Sequence, residues 1–151
     1  MTMIRIICIG KMKDKGMKSV EQDYLKRIQH FHKCQIIELK EANPAFEAER
    51  IIEDESERLL KTVKDNEYLI LFDVKARQMD SLQFAQTINH AGSNIAIIIG
   101  GSIGFDDRVR QRANQIISLS KMTFPHLLAR IIILEQLFRA YKILNHQNYH
   151  K

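Results

Sequence analysis

The sequence predicts an α/β domain: a mainly parallel sheet in three layers, with helices on both faces. Short aliphatic runs (Met3 to Ile9, Tyr68 to Phe72, Ile95 to Ile99) lack the polar alternation of a half-exposed strand, as strands buried on both faces do. Stripes of apolar residues at helical spacing separate these runs. Strands that alternate with helices imply βαβ units, whose crossover helices cover a parallel sheet from both sides.

The first run ends at Gly10 and is followed by a lysine-rich loop (Lys11, Lys13, Lys15, Lys18). From Ser19, residues Val20, Tyr24, Ile28 and Phe31 recur at spacings of four, four and three, one stripe of an amphipathic helix. Cys34 to Leu39 reads as a second strand. Asn43-Pro44 predicts a helix start, because Asn caps free backbone N–H groups and Pro at the first helical position has none to orphan. That helix runs to about Thr62, with Ala48, Ile52, Leu59 and Val63 inward and Glu47, Glu49, Glu53, Asp54, Glu55 and Glu57 in solvent. Tyr68 to Phe72 is the third strand, Asp80 or Ser81 caps a short helix through Ile88, and Ile95 to Ile99 is the fourth strand. A Gly-rich turn, a polar helix from Asp106 to Asn114 and a fifth strand from Ile116 to Leu119 follow. The last long helix starts near Pro125 and buries Ala129, Ile132, Ile133, Leu137, Ala140 and Leu144.

At 151 residues the chain is read as a single domain, 1–151, large enough for a hydrophobic core of its own. With 45% hydrophobic and 27% charged residues, its composition is ordinary globular usage, which excludes collagenous and disordered classes. No aliphatic run is long enough to span a bilayer and the N-terminus has no signal-peptide layout, so a cytoplasmic location is expected. Cys8 and Cys34 sit in aliphatic runs without CxxC or zinc-ligand spacing, and read as reduced core thiols. Lys and Arg outnumber Asp and Glu by nine to four in residues 1–40 and by eight to three in 101–151, while residues 41–100 carry six against eleven. Two basic ends around an acidic middle point to a polyanionic partner, with nucleic acid first.

In a parallel sheet, ligands bind beyond the carboxyl ends of the strands, which singles out the turns after Phe72, Ile99 and Leu119. Gly100-Gly101-Ser102-Ile103-Gly104 is either a tight structural turn or a close backbone approach to a ligand; it matches neither a P-loop nor GxGxxG. Leu119-Ser120-Lys121-Met122-Thr123-Phe124-Pro125-His126 either caps and anchors the last helix or lines the same crevice, and His126 is a candidate base there. The tail Asn145 to Lys151 follows a helix carrying Arg130, Arg139 and Lys142, and is either a frayed end or a set of phosphate- and base-binding side chains. The His residues form no recognisable metal set, and no GxSxG elbow is present.

Taken together, the motifs resemble those of the bacterial RlmH family: Ile4-Arg5-Ile6 with Gly10-Lys11, Ile99 to Gly104, Leu119 to His126, Glu135-Gln136-Leu137-Phe138-Arg139-Ala140, and terminal Tyr149-His150-Lys151. The likeness covers essentially the whole chain. It implies a SPOUT-class methyltransferase with a trefoil knot near the C-terminus, using S-adenosylmethionine and no metal to methylate N3 of a pseudouridine in helix 69 of 23S rRNA. It also implies a homodimer acting on assembled ribosomes. Carried over by motif, the cofactor residues are Phe72, Gly100, Leu119, Ser120, Lys121, Met122, Thr123 and Phe124. Phe72 stands where the family usually has Leu, and Ala76-Arg77 where it has Gly-Lys.

Methyl transfer to a protonated imino nitrogen needs a group that takes the proton or holds the anion, and Tyr149, His150 and Arg139 are the candidate catalytic residues. The rival reading from another class is a noncatalytic ribosome- or RNA-binding factor; a flavodoxin-like nucleotide enzyme is a second.

Overall fold

Among the described residues, one sheet of five strands runs in the order β2-β1-β4-β3-β5, with every neighbouring pair parallel. The strands are β1 (Ile4–Ile9), β2 (Cys34–Leu39), β3 (Tyr68–Phe72), β4 (Ile95–Ile99) and β5 (Gln115–Ile117). The helices are α1 (Lys15–Gln29), α2 (Ala48–Thr62), α3 (Ser81–Ala91), α4 (Asp107–Arg112) and α5 (His126–Leu144). The structure, a computed structural model, describes residues 2–100 and 103–151, so Gly101 and Ser102 of the glycine turn lie outside the described residues.

Strand alternation splits the aliphatic runs between two cores. Ile4, Ile6, Ile95 and Ile97 pack with Ile28 of α1, Phe84 and Ile88 of α3, and Ile133 and Leu137 of α5. Ile7, Leu69, Leu71 and Ile98 pack with Leu59 of α2 and Val109 of α4. Burying each such side chain stabilises the fold by about 1.5–3 kcal/mol, which is why the runs carry no polar alternation. Arg5 is the exception inside β1; its Nε donates to Glu67 Oε2 at 2.7 Å and its Nη2 to the Thr62 carbonyl at 2.6 Å, so the buried charge is paired.

Several boundaries and faces differ from the expectation. Helix α1 begins at Lys15, inside the lysine-rich segment, because Asp14 caps it by accepting from the Met17 N–H at 2.8 Å. Its inward residues are Glu21 and Ile28, and Val20 is exposed. Asn43-Pro44 makes a turn rather than a helix start: Asn43 Oδ1 accepts from Ala45 N and its carbonyl from Phe46 N, and α2 begins at Ala48. Glu55, expected in solvent, is buried and accepts from the Ala42 N–H at 3.0 Å. Strand β5 is shifted to Gln115–Ile117, with Ser118 bridging to Gln78 and Leu119 already in the loop. In α5, Ala129, Ile132 and Leu144 are only half-buried, while Arg130 lies at the centre of the packing.

Elsewhere the local chemistry agrees. Asp80 and Gln83 form a capping box at α3, and Asp106 caps α4. Cys8 and Cys34 are free and buried.

At the carboxyl edge of the sheet, the segments after β3 and β5 are laced together. Asp73 N donates to Ile117 O at 2.9 Å, Ser118 N to Arg77 O at 3.0 Å, and Ser118 Oγ to Val74 O at 3.1 Å. This lacing forms the floor of the site.

Candidate active site

Beyond the carboxyl ends of β3, β4 and β5 opens a cavity of about 640 Å³. That is the size of a small-molecule site, at the position where parallel sheets bind ligands. Apolar walls come from Phe72, Ile99, Phe105, Leu119 and Ile133. Polar groups also line it: Asp73 and Arg110, joined at 3.0 Å, together with Ser118, Ser120, Thr123 and His126. The Asp73 hydrogen bond holds the Arg110 guanidinium above its ordinary pKa despite partial burial. The donor and acceptor set suits a ligand with one flat apolar ring and a polar, charged remainder.

The loop from Ser118 to Pro125 keeps its shape through its own hydroxyls. The single Ser118 hydroxyl proton is shared between Ser120 O at 2.9 Å and Val74 O at 3.1 Å, and Ser120 Oγ accepts from Met122 N at 3.0 Å. The second bond closes a tight turn around Lys121. Gly100 packs directly against an aromatic ring. A Cβ built there lies 2.7 Å from Phe105 Cε1 and 2.8 Å from Cδ1, so the missing side chain admits the Phe105 ring that walls the cavity. Gly104, with φ +101°, supplies the left-handed turn that brings that ring back.

A second cluster forms where the tail folds onto α5. Arg139 donates to Glu135 through Nε at 3.1 Å and Nη2 at 2.9 Å, and the Tyr149 hydroxyl donates to Glu135 Oε2 at 2.7 Å. Arg139 Nη1 lies 3.2 Å from His150 Nδ1, and its guanidinium stacks 4.8 Å over the Tyr149 ring. Tyr149 also packs edge-on against Phe138 at 5.0 Å. Burial and the Glu135 hydrogen bond push the Tyr149 hydroxyl up to about 12. The Glu135 hydrogen bond likewise raises Arg139, so the group stays cationic.

The sequence profile of the family described as Predicted SPOUT methyltransferase matches residues 2–150. The chain belongs to the SPOUT methyltransferase family. Relatives of this SPOUT methyltransferase include the Ribosomal RNA large subunit methyltransferase H of Caldicellulosiruptor saccharolyticus, 38% identical over 99% of this chain and 100% of the relative. That of Clostridium novyi is 43% identical over 98% of this chain and 99% of the relative. Among solved structures, a probable rRNA-methyltransferase from Porphyromonas gingivalis shares the fold with a TM-score of 0.57, at 12% identity, covering 95% of this chain and 70% of that one. The Ribosomal RNA small subunit methyltransferase E of Neisseria gonorrhoeae, solved with S-adenosyl methionine bound, has a TM-score of 0.53 at 12% identity, covering 93% of this chain and 66% of that one. S-adenosylmethionine is the methyl donor of SPOUT enzymes, and an adenine ring with a charged amino-acid arm is the kind of ligand the cavity's walls and polar groups fit.

In this SPOUT methyltransferase, Phe72, Gly100, Leu119, Ser120, Met122, Thr123 and Phe124 all line the one cavity, while Lys121 is exposed and does not. Arg139, Tyr149 and His150 come together in the tail cluster and do not line the cavity of their own chain. His126 stands at the cavity wall. Asp73, Arg110 and Phe105 are lining residues that sequence reasoning missed. Asp73 follows the third strand directly and was legible as a turn residue; Arg110 and Phe105 arrive from a helix and loop with no motif. Ala76, standing where the family usually has Gly, has no positive φ, so the turn accepts a side chain there.

Proposed function

We propose that this chain is a homodimer that transfers the methyl group of S-adenosylmethionine to N3 of a pseudouridine in helix 69 of 23S rRNA, on the assembled ribosome in the cytoplasm. The observation that carries this reading is the cavity that gathers Phe72, Gly100 and most of the 119–124 loop into one volume of small-molecule size. The names of relatives near 40% identity over their full length support a large-subunit rRNA substrate.

The donor supplies a methyl group on a sulfonium, which needs in-line placement of the acceptor and exclusion of water rather than a metal. Phe72, Leu119 and Ile133 wall the cavity against water. The tail cluster deals with the acceptor. A guanidinium only donates, so Arg139 Nη1 donates to His150 Nδ1, and neutral His150 then carries its proton on Nε2. Tyr149 stays protonated at neutral pH. With the Tyr149 O–H and two Arg139 N–H bonds held by Glu135, the donors left for the anion that forms when N3 loses its proton to water are the remaining Arg139 N–H bonds and the Nε2–H of His150, and the Tyr149 hydroxyl joins them by turning away from Glu135.

The positions of these groups support a homodimer. The tail cluster is outside its own cavity, and exposed Val74, Ile103 and Met122 rim the cavity mouth. A second subunit laid on that rim covers the apolar side chains and brings its tail to the cavity. The lacing of residues 73–78 with 117–120 is consistent with a chain that threads through this loop in a knot. Calorimetric titration with S-adenosylmethionine, followed by mass mapping of 23S rRNA from cells with and without the gene, tests the reading. Expected are one donor site per chain and one methyl lost from a helix 69 fragment; no saturable donor binding returns the chain to the noncatalytic class.

A further inference from the structure

The carboxyl edge of the sheet carries another opening, a cleft of about 1070 Å³ beyond β1 and β2. It is lined by the cations Lys11, Lys13, Lys40, Arg50 and Arg58 and the acids Glu38, Glu41 and Asp54. Two of the acids are already engaged. Glu38 accepts from Arg130 and from the Met12 N–H at 2.7 Å, and Asp54 accepts from Arg58 at 2.7 Å. Arg58 also donates to the Lys40 carbonyl at 2.6 Å, which fixes that rim. The ammonium groups of Lys11, Lys13 and Lys40 are exposed and have no ion pair among the described residues. Glu41 alone offsets them. The Arg50 guanidinium carbon sits over the half-buried Phe46 ring, 3.6 Å from its centroid.

Position gives the cleft its meaning. All strands run the same way, so β1 and β2 end on the edge where β3, β4 and β5 hold the cofactor cavity, and β1 is the direct neighbour of β4. Neighbouring strands are about 4.8 Å apart, which puts the two openings side by side. Arg130 joins them: it sits between Ala129 and Ile133, which line the cavity, and holds Glu38 of the cleft.

We infer that this cleft binds the RNA strand next to the nucleotide being methylated, with Lys11, Lys13 and Lys40 on backbone phosphates and the Phe46–Arg50 stack under an unpaired base. Unpaired cations along a groove with an aromatic–guanidinium platform are the elements by which single-stranded nucleic acid is held. An acidic protein segment would be drawn by the charges but gives no use to the stacked platform. The inference rests on the rRNA-methyltransferase reading for the identity of the strand, but its own observable is RNA binding.

The test compares the full-length protein with Lys11→Gln/Lys40→Gln and, separately, with Arg50→Gln, whose exposed side chains leave the core untouched. Melting curves and S-adenosylmethionine titration check that fold and donor site are unchanged. Binding to protein-free 23S rRNA and to ribosomes is then measured over a salt series. Each phosphate left without its lysine should flatten the log–log salt slope by about 0.7–0.9, and the double variant should bind rRNA roughly tenfold or more weakly at low salt. Arg50→Gln should weaken binding with little change in slope. Unchanged affinity and slope in both variants overturns the inference. Weaker ribosome binding with unchanged affinity for protein-free rRNA assigns the cleft to a ribosomal protein, which also overturns it. If the wild-type protein binds no S-adenosylmethionine while rRNA binding still depends on Lys11 and Lys40, the cleft stands and the methyltransferase reading of the cavity falls.

Discussion

Arg130 and Glu38 form an ion pair across 92 residues of sequence, between the second turn of the last helix and the end of the second strand. The same guanidinium donates through Nε to Glu21 of α1 at 2.6 Å, and its Nη1 is buried without a hydrogen-bond partner. Arg130 is 1% exposed, so three elements are held by one buried cation. Burial pushes the Glu38 carboxyl up, but the Arg130 and Met12 hydrogen bonds outweigh it and hold the group below its usual range.

Arg130→Met is therefore expected to lose about 3–5 kcal/mol of stability, because Glu21 is left charged and buried. Urea unfolding measures the loss. Adding Glu21→Gln to Arg130→Met should recover part of it; a double variant no more stable than the single one would show that packing, not charge, sets the effect.

Glu67 makes the fold acid-sensitive. Desolvation raises its pKa, but the hydrogen bonds from Arg5 and from the Lys64 N–H prevail and hold the carboxyl below the ordinary glutamate range. A depressed folded-state pKa contributes stability that is present above the unfolded value and is lost as pH falls through the folded one. Stability should fall below about pH 4.3, the ordinary glutamate value. Glu67→Gln should be less stable at neutral pH, with a shallower decline between neutral and acid conditions, as read from denaturant midpoints across a pH series.

Burial pushes both thiols, Cys8 and Cys34, up to about 12. The thiolate is the reactive form, so neither should react with iodoacetamide in the native protein at neutral pH. Mass spectrometry after brief alkylation should find no adduct in the native protein and full labelling in urea.

How much of this was legible in the sequence depended on whether a signal was local. The runs Tyr68 to Phe72 and Ile95 to Ile99 were legible as strands because short, nearly continuous apolar segments between helices have few other uses, and Cys34 to Leu39 because its apolar residues form a short segment between two helical stretches. Asp80 was legible as a cap for the same local reason. Asn43-Pro44 misled because the Asn side chain closes a turn on Ala45 as readily as it caps a helix. Glu55 read as a solvent-facing acid and Arg130 as one of the basic residues of the helix before the tail; their partners lie on other elements, and no spacing rule reaches across the fold. The cavity's loops were legible from sheet polarity and family motifs, whereas Arg110 and Phe105 join it only through tertiary packing.

Gly100→Ala should act through Phe105. The added methyl would lie inside contact distance of the ring, so the ring must turn and the cavity wall with it. Overpacking of this kind costs about 1–3 kcal/mol. Combining Gly100→Ala with Phe105→Leu should restore much of the stability and part of the S-adenosylmethionine affinity, measured by thermal melts and calorimetry. If the double variant regains stability but no donor binding, the backbone of Gly100 itself meets the ligand.

The tail is where a structural and a catalytic role diverge most. Removing Tyr149 to Lys151 takes away a hydroxyl on Glu135, an imidazole beside Arg139 and a ring against Phe138, all half-buried or exposed, with the Tyr149 ring at the edge of the core. The truncated protein should therefore fold, and since none of these residues lines the cavity of their own chain, it should keep most of its S-adenosylmethionine affinity. Methyl transfer to ribosomes should fall by roughly 100-fold or more, the scale for losing a preorganised donor at a developing anion. Tyr149→Phe isolates the hydroxyl, and His150→Gln keeps a donor without the imidazole. Because Tyr149 holds its proton up to about 12, a donor role predicts that kcat rises with pH as N3 of the acceptor ionises and that Tyr149→Phe lowers kcat by a similar factor across that range. If Tyr149 were instead the base, Tyr149→Phe would remove the rise itself. Wild-type turnover in the truncated protein would falsify both roles and leave His126, at the cavity wall, as the group to examine.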